Sequence, residues 1–140
     1  MSARRFVLDN SVVIAWGLSE GSEYADEVIE RLIDGEALVP SVWPLEFGNA
    51  LLVAERRRRI TEAESTRLRQ LIQSLPIAVV PESVGRILSD VLQLARERSL
   101  SVYDASYLDL AMREGVPLAT LDERMREAAK RCSVPLLGVT

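Results

Sequence analysis

Five short apolar runs set the strongest constraint on how this chain folds. They are RFVL (5–8), ALVP (37–40), IAVV (77–80), PLAT (117–120) and LLGV (136–139). None shows the polar–apolar alternation of a half-exposed strand, so each reads as a strand covered on both faces, the pattern of a parallel sheet. The segments between them carry helical periodicity. Ala25, Val28, Ile29, Leu32 and Ile33 form one stripe that stops near Gly35. The run from Trp43 is helical after Pro44, Thr61 and Glu64 give a capping-box signature, and Val84, Ile87, Leu88, Val91 and Leu94 form another stripe. A helix over SVYDASYLDLAMREG ends at Gly115, a natural C′ glycine, and DERMREAAKRC follows the fourth run. Strands alternating with helices predict an α/β sandwich with a mostly parallel sheet. With 140 residues and no repeat, linker or low-complexity stretch, residues 1–140 are expected to form a single domain.

Composition removes several kinds of chemistry. The chain has no histidine, which excludes an imidazole base and any His-ligated metal. Cys132 is the only cysteine, so no intrachain disulfide and no Cys-cluster zinc site can form, and a reducing cytoplasm fits. Seventeen basic against twenty-one acidic residues give a net charge of −4. No global basic field advertises nucleic acid, so any such contact must be local. The N-terminal apolar run is short and broken by Asp9 and Asn10, unlike a signal peptide, and no run approaches the roughly 20 apolar residues of a membrane span.

The acidic residues then need sorting. Asp90 has Arg86 four residues before it and Asp109 has Arg113 four after it, ordinary solvated helical pairs. Four others stand apart. Asp9 closes the first strand, and Asp122 lies just past the fourth. Both fall on the carboxyl edge of the sheet, where α/β folds bind ligands. Glu46 and Asp104 lie on helices with no basic residue on their own faces, so each should face the core or a cleft. Blander assignments exist for all four. Asp9 and Asp122 are placed as helix caps, Asp104 sits three after Ser101 as in a capping box, and Glu46 could fill an exposed gap in its stripe. Taken together, a set of carboxylates without Cys or His suits a hard cation, Mg²⁺ or Mn²⁺, which activates water and stabilises a phosphodiester transition state.

The motifs VLDNSVVIAW, PLEFGNALL, SVYDASYLDLA and PLATLDERM, in that order and spanning essentially the whole chain, resemble those of PIN domains of the VapC type found in toxin–antitoxin pairs. The resemblance implies a three-layer sandwich around a sheet of about five short strands. It also implies a Mg²⁺-dependent endoribonuclease, an antitoxin partner and a homodimer. The family's four acids fall on Asp9, Glu46, Asp104 and Asp122. Asp9 and Asp104 would hold the main metal directly, and Glu46 and Asp122 would complete the cluster, orient metal-bound water or hold a second ion. Ser11, two after the first acid, and Thr120, before the fourth, would orient these ligands by hydrogen bonds. Asn10 departs mildly from the Ala or Thr often found there.

The charge run ERRRRI (55–60) reads as a solvated helix C-terminus or as a contact for RNA phosphates or an acidic antitoxin segment, through Arg56, Arg57, Arg58 and Arg59. Trp16, Trp43 and Phe47 sit in apolar stripes and read as core. Leftover apolar residues on the N-terminal helices would suit a groove for an antitoxin helix. A receiver domain would need an acidic pair after its first strand, and a haloacid-dehalogenase-type phosphatase an aspartate at the place of Ser11. No Gly-rich loop precedes a lysine as in a P-loop. The remaining alternative is a PIN-like RNA- or protein-binding module without turnover.

Overall fold

The computed structural model describes residues 4–138. Along the chain it forms β1 (Arg5–Leu8), α1 (Asn10–Gly17), α2 (Glu23–Glu30), a 3₁₀ turn (Arg31–Ile33), β2 (Glu36–Pro40), α3 (Trp43–Arg56) and α4 (Glu62–Ser74). There follow β3 (Ile77–Val80), α5 (Val84–Arg86), a π turn (Ile87–Val91), α6 (Leu92–Arg98), α7 (Val102–Glu114), β4 (Leu118–Ala119) and α8 (Glu123–Arg131).

The four strands are parallel, in the order β3-β2-β1-β4. Their inner residues, Phe6, Val7, Leu8, Ala37, Leu38, Val39, Leu118 and Ala119, are buried, as expected of strands covered on both faces. The connections β1→β2→β3 step one way and β3→β4 steps back past both. Right-handed crossovers therefore carry α1–α4 across one face and α5–α7 across the other. The helix contacts agree: α1 packs on α2 and α3, while α7 packs on α6 and beneath β1 and β2. The direction of travel reverses between β1 and β4, and such a switch point leaves a crevice at the carboxyl ends of the strands.

Local chemistry explains the element ends. Thr61 and Glu64 close the expected capping box on α4. Gly115 ends α7 with φ +64°, where only glycine is unstrained. At Gly35 a Cβ would stand 2.6 Å from the Arg4 carbonyl oxygen and 2.7 Å from that of Arg31, so the turn into β2 also needs glycine. Trp43 and Phe47 are buried and stacked at 5.6 Å, and Trp16 packs half-buried against the core.

Two expectations need correction. The fifth run forms no strand among the described residues: Leu136 makes one parallel bridge to Leu118, and Val139 lies outside them. Pro135, with no N–H to donate, stands directly before that run. Asp109 is not a solvated acid. It is buried, and its carboxylate accepts from Arg86 at 2.6 Å and from Arg113 at 3.0 Å. Helical spacing found the Arg113 partner. It could not show that α5 brings Arg86 over α7, which buries the pair. Glu82 and Asp90 complete the network through Arg86, at 3.1 and 2.9 Å, and the Asp90 pair is the exposed i,i+4 contact expected.

Candidate functional site

Four of the helices that begin at the carboxyl edge of the sheet each carry one of the four singled-out acids. Asp9 is the N-cap of α1, directly after β1. Glu46 lies in the first turn of α3, after β2. Asp104 lies in the first turn of α7, which leads into β4 and so starts at the edge where the strands end. Asp122 is the N-cap of α8, after β4. A helix N-terminus carries about half a positive charge, so this edge favours negative groups.

The capping interpretation holds for Asp122 and fails for Asp9. Asp122 Oδ1 accepts from the Met125 amide at 3.1 Å. The carboxylate of Asp9 makes no cap bond to α1. Instead Asp9, 5% exposed, accepts at Oδ2 from Ser11 Oγ at 2.6 Å and from Thr120 Oγ1 at 2.8 Å. Ser11 Oγ also accepts from the Leu121 amide at 3.0 Å, and Thr120 Oγ1 from the Asp122 amide at 3.1 Å. Two hydroxyls thus staple the end of β1 to the turn after β4. At Asp104 half of a capping box forms, with its amide donating to Ser101 Oγ at 3.0 Å.

Burial and mutual repulsion raise the pKa of three of these acids. At Asp9, desolvation acts first, opposed by the Ser11 and Thr120 hydroxyls and reinforced by the charge of Asp122. At Glu46 desolvation is again the leading cause, with repulsion from Asp9 and Asp104 against the stabilising bond from Tyr107. Asp104 is raised by desolvation, then by Asp9 and Asp122, while Ser101 and the Arg124 guanidinium on α8 act the other way. Asp9 and Asp104 therefore act on Glu46 by charge, and Asp122 acts on Asp9 and Asp104. Among the described residues, no three acidic, His or Cys side chains close into a ready-made metal cage. The donor set nonetheless fits a hard divalent cation: it is all oxygen, and Asp9, Glu46 and Asp104 are wholly or partly desolvated.

Tyr107 belongs to this site and sequence reasoning passed over it. It is fully buried on α7, and its hydroxyl donates to Glu46 Oε1 at 2.6 Å. Burial, then the Glu46 bond and charge, push its pKa far up, so the phenol stays protonated. The signal was its place three residues after Asp104, which puts both on one face of α7. Arg126 was also missed. Its Nε donates to the Thr120 carbonyl at 2.9 Å and its guanidinium lies 4.9 Å from the centre of the Tyr24 ring, so it secures the turn that presents Thr120. The arginines 56–59 are exposed where α3 ends, with Arg58 left-handed at φ +58° and Arg59 paired to Glu20 at 3.4 Å. They lie about ten residues, or roughly 15 Å, along α3 from Glu46. An apolar pocket between Pro40, Val42, Val80, Ile87, Val91 and Tyr103 contains none of the four acids. They occupy the open edge beside it, from buried Asp9 to exposed Asp122.

Comparison with known proteins gives concordant matches. The PIN domain family model matches residues 6–131. Ribonuclease VapC3 of Pyrobaculum aerophilum is 28% identical over 124 residues, which cover 88% of this chain and 93% of that protein. The crystal structure of PAE2754 from the same organism is similar at TM-score 0.69 and 26% identity, covering 89% of this chain and 84% of the other. A toxin–antitoxin complex from Klebsiella pneumoniae contains a chain of the same fold, at TM-score 0.60 and 18% identity, with 84% and 86% covered.

Proposed function

This chain belongs to the PIN domain family, and from that premise we propose that it is an endoribonuclease toxin of the VapC type, neutralised by a cognate antitoxin. It hydrolyses RNA phosphodiester bonds with Mg²⁺ or Mn²⁺ held by Asp9, Glu46, Asp104 and Asp122. The observation that supports this is the placement of four acids at four helix N-termini on one sheet edge, with the pKa of Asp9, Glu46 and Asp104 raised by burial and by neighbouring carboxylates. The similarity to a protein named as a VapC ribonuclease supports the activity, and the Klebsiella neighbour supports the partner.

When bound, the ion supplies an activated water and charge stabilisation for in-line attack, which makes up for the missing histidine. The protein's part is to place the ligands. Asp9 and Asp104 would hold the main ion. Ser11 and Thr120 both bond Oδ2 of Asp9, so neither hydroxyl occupies Oδ1. Glu46 and Asp122 complete the set. The exposed Arg56, Arg57, Arg58 and Arg59 contact RNA phosphates or an acidic antitoxin segment. The protein acts in the cytoplasm as a homodimer, for which the exposed Leu45, Val84, Leu88 and Tyr103 offer apolar surface.

The test is cleavage of a total bacterial RNA pool by antitoxin-free protein with Mn²⁺ or Mg²⁺, with a chelator control and Asp104→Asn alongside. Discrete metal-dependent products that vanish in the folded variant are expected. Unchanged cleavage by Asp104→Asn would sink the assignment. Mn²⁺ binding with no cleavage would return the protein to the binding-module alternative.

A further inference from the structure

We infer that Tyr107 is a positioning residue for the metal site: its hydroxyl fixes one oxygen of Glu46 and so presents the other to the cation. The inference rests on the reading of the four acids as metal ligands. Glu46 has three side-chain torsions and lies half-buried facing two like charges. Left alone, such a side chain would swing toward solvent, away from Asp9 and Asp104, because both repulsion and hydration favour that move. The 2.6 Å bond from Tyr107 opposes it.

The donor is itself immobile. The Tyr107 ring is fully buried within the core cluster, so its hydroxyl cannot follow Glu46 outward. The bond also joins two elements 61 residues apart. α7 supplies Asp104 in its first turn and Tyr107 one turn later, on the same face. One helix thus contributes a ligand and locks the ligand contributed by α3. Oε1 is committed to the phenol, which leaves Oε2 as the oxygen for a cation. This is the role that hydrogen-bonded partners of metal ligands commonly play, and losing one typically weakens metal binding by about 10–100-fold.

Tyr107→Phe removes one oxygen and keeps the packed ring. The experiment titrates Mn²⁺ into RNA-free protein, following free Mn²⁺ by electron paramagnetic resonance, for the parent, Tyr107→Phe, Glu46→Gln, the double variant and Asp9→Asn. Expected are a Kd about tenfold weaker for Tyr107→Phe, a nearly unchanged Tm, and a double variant no weaker than Glu46→Gln alone. On RNA, kcat should fall while KM holds. Parental affinity in Tyr107→Phe, with binding lost in Asp9→Asn, overturns this inference and leaves the metal site standing. Full additivity in the double variant overturns it, since the hydroxyl would then act on something other than Glu46. A Tyr107→Phe protein that melts far below the parent also overturns it and assigns the bond to folding. A parent that binds no Mn²⁺ overturns the metal site and this inference together.

Discussion

Asp9, Glu46 and Asp104 are each harder to ionise in the folded protein than in the unfolded chain, for a common reason: burial first, neighbouring carboxylates second. The consequence for stability has a definite sign. The ordinary values are 3.8 for Asp and 4.5 for Glu, and the folded values lie above them. Between the ordinary and the raised values the native state binds more protons than the unfolded one, so metal-free stability falls as pH rises through that window and stays reduced above it. Asp104→Asn should therefore raise the Tm of metal-free protein by a few degrees at pH 7. That gain should vanish below the ordinary Asp range, where the parent carboxyl is itself neutral. Calorimetry at the two pH values checks this; a Tm at or below the parent's at pH 7 would show that the site carries no such repulsion.

At the scale of elements, the helix made of α5, the π turn and α6 is fastened to α7 by the network around Asp109. Glu82 reaches Arg86 and Arg113, and both arginines reach Asp109. Asp109 is buried and accepts from both arginines, so removing it breaks two charge-assisted bonds, while Glu82 still pairs with both guanidinium groups and Asp90 with that of Arg86. Asp109→Ala should cost about 2 kcal/mol in urea unfolding, as expected for losing hydrogen bonds to charged groups at a buried carboxylate. Asp90→Ala breaks an exposed contact to the same Arg86 and should cost about 0.5 kcal/mol or less. Equal costs would mean that the burial of Asp109 has no energetic weight. The same helical spacing describes both pairs, so periodicity alone ranks them alike. Their difference comes from which helix packs over which.

The whole molecule is acidic, with a net charge of −4, and the exposed arginines 56–59 are a local concentration of positive charge on it. Reversing charge at Arg57 and Arg58 together should weaken RNA binding and flatten its salt dependence, by about 0.7 in log–log slope for each phosphate no longer neutralised. An unchanged slope would make the run a solvated helix end and nothing more. Binding should be measured on Asp104→Asn protein, so that cleavage does not intrude.

Much of this protein is legible from its sequence because the deciding physics is local. Apolar runs without alternation mark buried parallel strands, capping residues mark helix starts, and an acid without a partner on its own helical face, as at Glu46 and Asp104, marks a partly buried carboxylate. The ordered motifs carried the family, and with it the positions of Asp9, Glu46, Asp104 and Asp122. The tertiary structure decided what depends on long-range approach. It showed that Asp9 is held by Ser11 and Thr120 while Asp122 truly caps its helix, although both stand at strand–helix junctions. It buried Asp109, reduced the fifth strand to one bridge, and brought Tyr107 within 2.6 Å of Glu46 across 61 residues. Hydrogen-bond partnership and desolvation depend on which surfaces meet, and a pattern along the chain does not contain that information.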